Sequence, residues 1–156
     1  MADNKTNTLE SWMVNLILRN EDTGVLPAAI GDDGLHGSTT AGDLYLSLHT
    51  GDPGEGGDQT TSEATYTSYA RVAVNRNSDG TADWSQSSAG SASTNNNTIT
   101  FPTCTGGSNA ITHFGIGTSS AGSGALLYFA PLSAPLAIST GIVPQFAAGS
   151  LSVAEK

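Results

Sequence analysis

Residues 43–54 read DLYLSLHTGDPG, and this stretch decides the fold class. Three leucines alternate with more polar residues, and a period of two is typical of a β-strand with one buried face. Glycine, aspartate and proline follow at once. Pro53 fixes φ and Gly54 tolerates unusual backbone angles, so the chain is expected to reverse sharply there. The stretch therefore predicts a strand that ends near His49 in a tight turn.

The same kind of pattern recurs along the rest of the chain. Short apolar or alternating runs, separated by Gly- and Ser-rich turns, predict further strands. These runs lie at residues 69–75, 98–102, 110–117, 125–130, 136–139 and 145–153, the last with a bulge expected at Gly149. Residues 85–97, SQSSAGSASTNNN, are polar and of low complexity, and they are interpreted as a surface loop. The fold class predicted is mainly β, a single-domain antiparallel β-sandwich or irregular barrel with one N-terminal α-helix.

The N-terminal helix is predicted over residues 8–20, TLESWMVNLILRN. Its apolar residues fall at the spacing i, i+3, i+4, i+7 and i+8, which places them on one helical face, and Thr8 is the expected N-cap. A long glycine-rich segment follows as far as residue 42. We therefore divide the chain into a helix with an extended arm, residues 1–42, and a β-sandwich domain, residues 43–156. The apolar side chains that are least expected to pack in the β-core are predicted to form an interface: Trp12, Leu16, Leu26 and Leu35.

Composition excludes several classes of function. The 156 residues carry a net charge of −9 with only five basic residues, so nucleic-acid binding is not expected. A single cysteine, Cys104, leaves no internal disulfide. The start is polar and no apolar run is long enough to cross a bilayer, so we expect synthesis in a cytoplasm and no membrane partner. No cofactor-binding motif is present, so no cofactor is predicted to bind.

Two kinds of reactive site are conceivable from the residues at the turn. A hydrolase would use His49 or His113 as a base, but no G-x-S-x-G motif accompanies them. A calcium site would use Asp52 and the acidic residues after it, but their spacing does not match a known calcium loop. We predict neither a catalytic nor a metal site. His49, Asp52, Pro53 and Gly54 are interpreted as a structural turn, with the imidazole bonded to loop carbonyls.

Arg71 is the most informative charge because it lies within an alternating segment, between Ala70 and Val72. A lone cation in such a strand either lies at an interface or pairs with a carboxylate, and Glu63 is the candidate partner. An outward-facing arginine remains the alternative. With Glu63, His49 would hold the long loop against the sheet.

Several motifs, taken in order, resemble those of tailed-bacteriophage virion proteins. The motifs are LHT at 48–50, DPG at 52–54, Glu63, YARVAV at 69–74, ITFP at 99–102, ITHFGIG at 111–117, GALLYFAPL at 124–132 and FAAGSLSV at 146–153. The resemblance covers nearly the whole chain, and it includes the short N-terminal helix. It implies a structural part of the virion and no catalysis.

The function expected from this resemblance is capsid decoration, in which the protein cements the head of a bacteriophage. The partners would be the major capsid protein or other virion proteins, and self-association, plausibly as a trimer, is expected. The location would be the virion, after synthesis in the host bacterial cytoplasm. The alternative is a tail or fibre-associated protein that takes part in host attachment, in which polar loops such as residues 85–97 bind glycans.

Overall fold

The computed structural model describes residues 5–21, 40–77, 81–88 and 92–155. These residues form a mainly β structure with antiparallel pairing and one helix near the N-terminus, which confirms the predicted fold class. The elements are α1 Asn7–Arg19, β1 Asp43–His49, β2 Val72–Asn75, β3 Ser93–Thr94, β4 Ile99–Thr100, β5 Ser108–Gly117, β6 Leu126–Ser139, β7 Gln145–Phe146 and β8 Ser152–Val153. No helix within these ranges is long and apolar enough to cross a membrane.

A four-stranded sheet in the order β2-β1-β5-β6 is the largest element of the fold. β1 and β5 are antiparallel, with Leu48 opposite Phe114, and β5 and β6 are antiparallel, with Phe114 opposite Ala130. Two short antiparallel pairs, β3 with β8 and β4 with β7, complete the strands of the described residues. The leucines of β1 share one buried face, as their period of two predicts, and Ser47 and His49 are buried on the opposite face.

β6 joins two runs that were predicted as separate strands, at residues 125–130 and 136–139. Ile111 lies opposite Leu136, and His113 lies opposite Pro131. Residues 132–135 of β6 therefore stand opposite the single residue Thr112 and form a bulge. A break in the apolar pattern thus marks an irregularity inside one strand rather than its end.

Three other predicted boundaries are wrong. Instead of one strand over residues 145–153 there are two, β7 and β8, and Gly149 lies between them with φ of 74°. β2 begins only at Val72, because Tyr69 and Arg71 before it are held by side-chain bonds described below. The N-cap of α1 is Thr6 rather than Thr8, since the Thr6 hydroxyl accepts the N–H of Leu9 at 3.3 Å.

The chain divides into two compact units. One is formed by the described residues within 1–42, 75–98 and 147–156, and the other by residues 43–74 and 99–146. The chain therefore leaves the first unit after residue 42 and returns to it at 75. It leaves again after residue 98 and returns at 147. The assignment of residues 1–42 and 43–156 to separate domains stays a prediction.

The first unit packs α1 beside segments that the sequence marks as polar. Asn15 is buried, and its side chain forms two bonds with the backbone of Ser87, Nδ2 donating at 2.9 Å and Oδ1 accepting at 2.8 Å. Arg76 donates to the carbonyls of Leu16 and Ile17 in the last turn of α1, at 2.9 and 2.6 Å. A cation at this end of a helix satisfies carbonyls that have no partner within the helix.

Residues 85–97 are not simply a surface loop, contrary to the prediction from composition. Ser93 and Asn95 are buried, at 0% and 1% exposure. The Asn95 side chain donates to the carbonyls of Asn97 and Ala147, each at 2.8 Å, and accepts the N–H of Leu151 at 2.9 Å. Buried polar groups are tolerated when they are hydrogen-bonded, so a polar segment contributes to the interior here.

The second unit has an aromatic cluster in its core. Tyr69 stacks on Phe101 with ring centroids 6.4 Å apart, and Phe146 meets both Phe101 and Phe114 edge to face at about 6 Å. Tyr66 meets Tyr69 at 5.3 Å, and burial raises the pKa of its phenol to about 12. Such pairs are worth about 0.5–1.5 kcal/mol each beyond the area they bury.

Candidate functional site

His49, at the end of β1, ties the following loop to the sheet. Its side chain is fully buried, with Nδ1 2.8 Å from the carbonyl oxygen of Thr61 and Nε2 2.8 Å from Oγ of Ser47. Because a carbonyl only accepts, Nδ1 carries the proton and donates, and the Ser47 hydroxyl can donate to Nε2. Burial lowers the pKa of His49 below its ordinary value of 6.5, so the neutral ring is favoured.

The contact between Ser47 and His49 has the distance expected of a nucleophile and its base. Its setting is different from that of a hydrolase site. Both side chains are 0% exposed within the sheet, so a substrate cannot reach the hydroxyl, and Nδ1 meets a backbone carbonyl rather than an orienting carboxylate. This pair therefore serves to position the loop.

The turn after β1 has the conformation that its sequence predicts. Gly54 has φ of 67°, and its N–H donates to Oδ1 of Asp52 at 2.8 Å, while Pro53 is buried. Further along, Asp58 accepts both the N–H and the hydroxyl of Thr60, at 2.8 and 2.6 Å. These bonds lower the pKa of the Asp58 carboxyl group. Two acidic residues of this loop, Asp52 and Asp58, are thus used within the loop itself.

Gln59 joins this loop to a second loop, residues 118–124, although no motif in the sequence singles it out. The side chain is fully buried, and its Oε1 accepts the N–H of Ser119 at 2.8 Å. A Cβ at Gly117 or Gly124 would overlap the Gln59 side chain, so both glycines are required for its close approach.

Arg71 and Glu63 form a two-point ion pair at the centre of the site. Nε of Arg71 lies 2.6 Å from Oε1 of Glu63, and Nη2 lies 2.7 Å from Oε2. The Arg71 and Glu63 side chains are 2% and 18% exposed. Arg71 also donates to the carbonyls of Ser119 and Gly122, at 2.9 and 2.8 Å. The interaction with Glu63 raises the pKa of the Arg71 guanidinium. The outward-facing alternative for Arg71 is therefore not what the structure shows.

Tyr69 connects the ion pair to the sheet. Its hydroxyl donates to Oε1 of Glu63 at 2.9 Å and accepts the N–H of Leu48 at 3.1 Å. Burial raises the pKa of the phenol well above its ordinary range, which keeps the proton available for Glu63. Three side chains from one short stretch of the chain, residues 63–71, thus form one connected polar network, which we call the Glu63 network: Glu63, Tyr69 and Arg71.

A cavity of about 240 Å³ opens beside the Glu63 network and is lined in part by Ser120, Ala121 and Gly122. The polar groups of the network that face it already bond to one another or to carbonyls of the second loop. The arrangement fixes two loops against the sheet, so its chemical role is to hold a defined loop conformation. No group of three or more His, Cys, Asp or Glu suited to a metal ion occurs in the described ranges.

The predicted site residues fall into two sets. His49, Asp52, Pro53, Gly54, Glu63 and Arg71 all lie in the loop and network just described. Of the predicted interface residues, Trp12 and Leu16 are half-buried on α1, whereas Leu26 and Leu35 lie outside the described residues. Their role at an interface stays a prediction.

Comparison with known proteins gives a family for the chain. No curated protein matches it. The sequence model of the family described as "Podophage GP4 fiber I protein gp80" matches residues 4–154. This match includes both units, the Glu63 network and all eight strands. A phage structural protein, with the virion as its location, follows from this description, as the resemblance implied. The chain belongs to the family of the podophage GP4 fiber I protein gp80.

Proposed function

We propose that this protein is a structural component of a bacteriophage tail fibre, or of the parts attached to it, and that it takes part in host attachment. The observation that carries the proposal is the family match over residues 4–154, whose description names a fibre. Capsid decoration, the function first expected from the sequence, receives no support from that description. The description favours the tail or fibre alternative and names no reaction.

The geometry of the site supports a scaffold role. His49, Gln59 and Arg71 each tie a loop to the sheet or to another loop through buried hydrogen bonds. Loops that are fixed by a rigid scaffold can present a constant surface to a partner, which is how many binding proteins use them. The loop after β1 and residues 118–124 are the surface we assign to contacts of this kind.

The first test determines where this protein lies on the phage particle. Gold-labelled antibodies raised against the full chain should bind intact phage at the tail and its fibres. Quantitative mass spectrometry of purified particles should give a copy number far below that of the major capsid protein. Labelling spread over the head, at a copy number close to that of the capsid protein, would support capsid decoration and overturn the proposal.

Host attachment is tested separately. Phage that assemble without this protein should adsorb to host cells more slowly, and the purified full chain should compete with wild-type phage for adsorption. A variant with a disturbed loop, Gln59→Ala, should compete less well if it remains folded by circular dichroism. Normal adsorption by particles that lack the protein would contradict a role in attachment, even if the protein were found on the fibre.

A further inference from the structure

The outer edge of the four-stranded sheet is a long strand with one partner. β6, Leu126–Ser139, is last in the strand order, and within the described ranges it pairs only with β5. It is 14 residues long and contains no Asp, Glu, Lys or Arg. Natural proteins usually protect such an edge with charge, with proline or a bulge, with a covering element or with a short strand. Charge and shortness are both missing here.

The distribution of charge singles out the same region. From position 84 to position 154 the sequence contains no Asp, Glu, Lys or Arg, although the whole chain has a net charge of −9. All of the acidic residues therefore lie before Trp84 or after Ala154. Two copies of this protein repel each other wherever their acidic surfaces approach. They meet no such repulsion along β6 and the turn that follows it.

Large exposed apolar side chains mark both ends of this edge. Leu127 is 40% exposed, and Ile142 and Val143 are each 41% exposed; these are the exposed large apolar residues of the described ranges. Because β6 runs beside the whole of β5, Leu127 lies at one end of the edge, and Ile142 and Val143 follow its other end. Because β6 runs beside the ten residues of β5, its two ends lie roughly 30 Å apart.

We propose that β6 and the turn at residues 140–143 form the surface on which a second copy of this chain docks, related by a two-fold axis. In a two-fold contact the two β6 strands run antiparallel, and each end of one strand meets the opposite end of the other. Leu127 of each copy then packs against Ile142 and Val143 of its partner. One contact surface thus covers all three exposed apolar side chains of each copy. The partner provides the same three side chains at the positions where they meet.

The middle of β6 determines whether the two copies can join through backbone hydrogen bonds or only through side chains. Pro131 and Pro135 have no N–H to donate, and the bulge at residues 132–135 interrupts the edge between its two ends. A continuous ladder of backbone hydrogen bonds between copies is therefore prevented. The contact depends on the side chains at the two ends, and it yields a two-fold pair rather than the trimer expected from the sequence. This inference does not rest on the proposed fibre function.

The mass of the purified full chain in solution tests the contact. Light scattering after size exclusion should give twice the chain mass of 15.8 kDa. Leu127→Glu introduces a carboxylate into the contact twice per pair and should weaken the pairing at least about tenfold. The matched control is Ala73→Glu, which adds the same charge at an exposed position of β2, on the opposite edge of the sheet. This control should leave the mass unchanged.

A mixing experiment tests the geometry. Val143→Lys should also weaken self-pairing, since lysine would be buried against Leu127 of the partner. When Leu127→Glu and Val143→Lys chains are mixed, one end of a mixed pair joins the two introduced charges, and the other end is wild type. Mixed pairs should therefore form, although each variant alone is monomeric. Circular dichroism spectra should match that of the wild type, because both positions are exposed, and unfolding curves should match at concentrations at which the wild type is also dissociated.

Three outcomes would overturn the proposal. The first is a wild-type chain that remains at 15.8 kDa up to the highest concentration reached. The second is a stable trimer, and the third is a failure of the two variants to pair when mixed. Cross-linking within phage particles that joins β6 only to a different virion protein would likewise show that another partner occupies this edge.

Discussion

Arg71 holds Glu63 at two points while the same guanidinium holds the backbone of residues 119 and 122. The distances are 2.6 and 2.7 Å to the carboxylate, and 2.9 and 2.8 Å to the carbonyls of Ser119 and Gly122. One side chain thus links the end of the first loop to the second loop. Buried charges are costly unless they are paired and hydrogen-bonded, and here both conditions are met.

Replacing Arg71 should destabilise the protein more than replacing Glu63. Arg71→Met leaves the Glu63 carboxylate without its cation and removes a donor from the carbonyls of Ser119 and Gly122, and should cost about 3 kcal/mol of unfolding free energy. Glu63→Gln keeps a hydrogen-bonding group and should cost about 1–2 kcal/mol. Denaturant unfolding measures both values.

The double variant and a surface pair provide the controls for this prediction. Arg71→Met with Glu63→Gln should cost less than the sum of the single changes, because no carboxylate is left unpaired. Lys5→Met removes the partly exposed pair with Glu155 and should cost under about 1 kcal/mol. Strict additivity of the two single changes would show that the pair is not coupled.

Gly115→Ala should destabilise the sheet. A Cβ at this position would lie 2.6 Å from Cδ1 of Leu126, 2.7 Å from Nε2 of His49 and 2.9 Å from Oγ of Ser47. Overpacking of this kind costs about 1–3 kcal/mol. Gly56→Ala is the matched control, since nothing lies within 4 Å of a Cβ there, and its stability should equal or slightly exceed that of the wild type. Equal unfolding midpoints for the two variants would show that β1 and β5 are more loosely packed than described.

Acid should weaken the attachment of the first loop through His49. Burial lowers the pKa of His49 in the folded protein, whereas the unfolded chain has the ordinary value of 6.5. Between the two pKa values the unfolded state binds more protons, so stability falls as the pH drops below about 6.5. The unfolding midpoint of the wild type should therefore decrease from pH 7.5 to pH 5.

His49→Gln separates this titration from other acid effects. The glutamine amide can still donate to Thr61 and accept from Ser47, but it does not titrate in this range. The variant should be less stable than the wild type at pH 7.5 and should show a shallower dependence on pH. An identical slope in the two proteins would assign the acid sensitivity to another group.

Asn95→Ala should destabilise the first unit although it lies in a polar, repetitive segment. It removes buried hydrogen bonds to three backbone groups, those of Asn97, Ala147 and Leu151, and should cost about 2–3 kcal/mol. Asn97→Ala is the control: its exposed side chain donates to Asp83, and its loss should cost under about 1 kcal/mol. Tryptophan fluorescence reports the result, because Trp12 and Trp84 both belong to this unit. Similar costs for both changes would contradict the buried role of Asn95.

Sequence alone determined the fold class, the helix, and the interior strands β1 and β5. These features depend on the local period of apolar residues, which is two for a strand and 3.6 for a helix and is visible in the sequence. The tight turn after β1 was also predictable, since Pro53 and Gly54 restrict or permit particular backbone angles whatever surrounds them. Glu63 could be proposed as the partner of Arg71 because it lies shortly upstream of Arg71 in the same segment.

The identity of the buried polar residues, and the joining of two apolar runs into one strand, depend on contacts between distant parts of the chain. Gln59 meets Ser119, 60 residues away, and Asn95 meets Ala147, 52 residues away, so neither contact leaves a local signal. β6 is continuous because β5 pairs with both of its halves across the bulge. Local patterns fix which backbone shapes are favourable, but the satisfaction of a buried hydrogen bond depends on atoms that only the folded chain brings together.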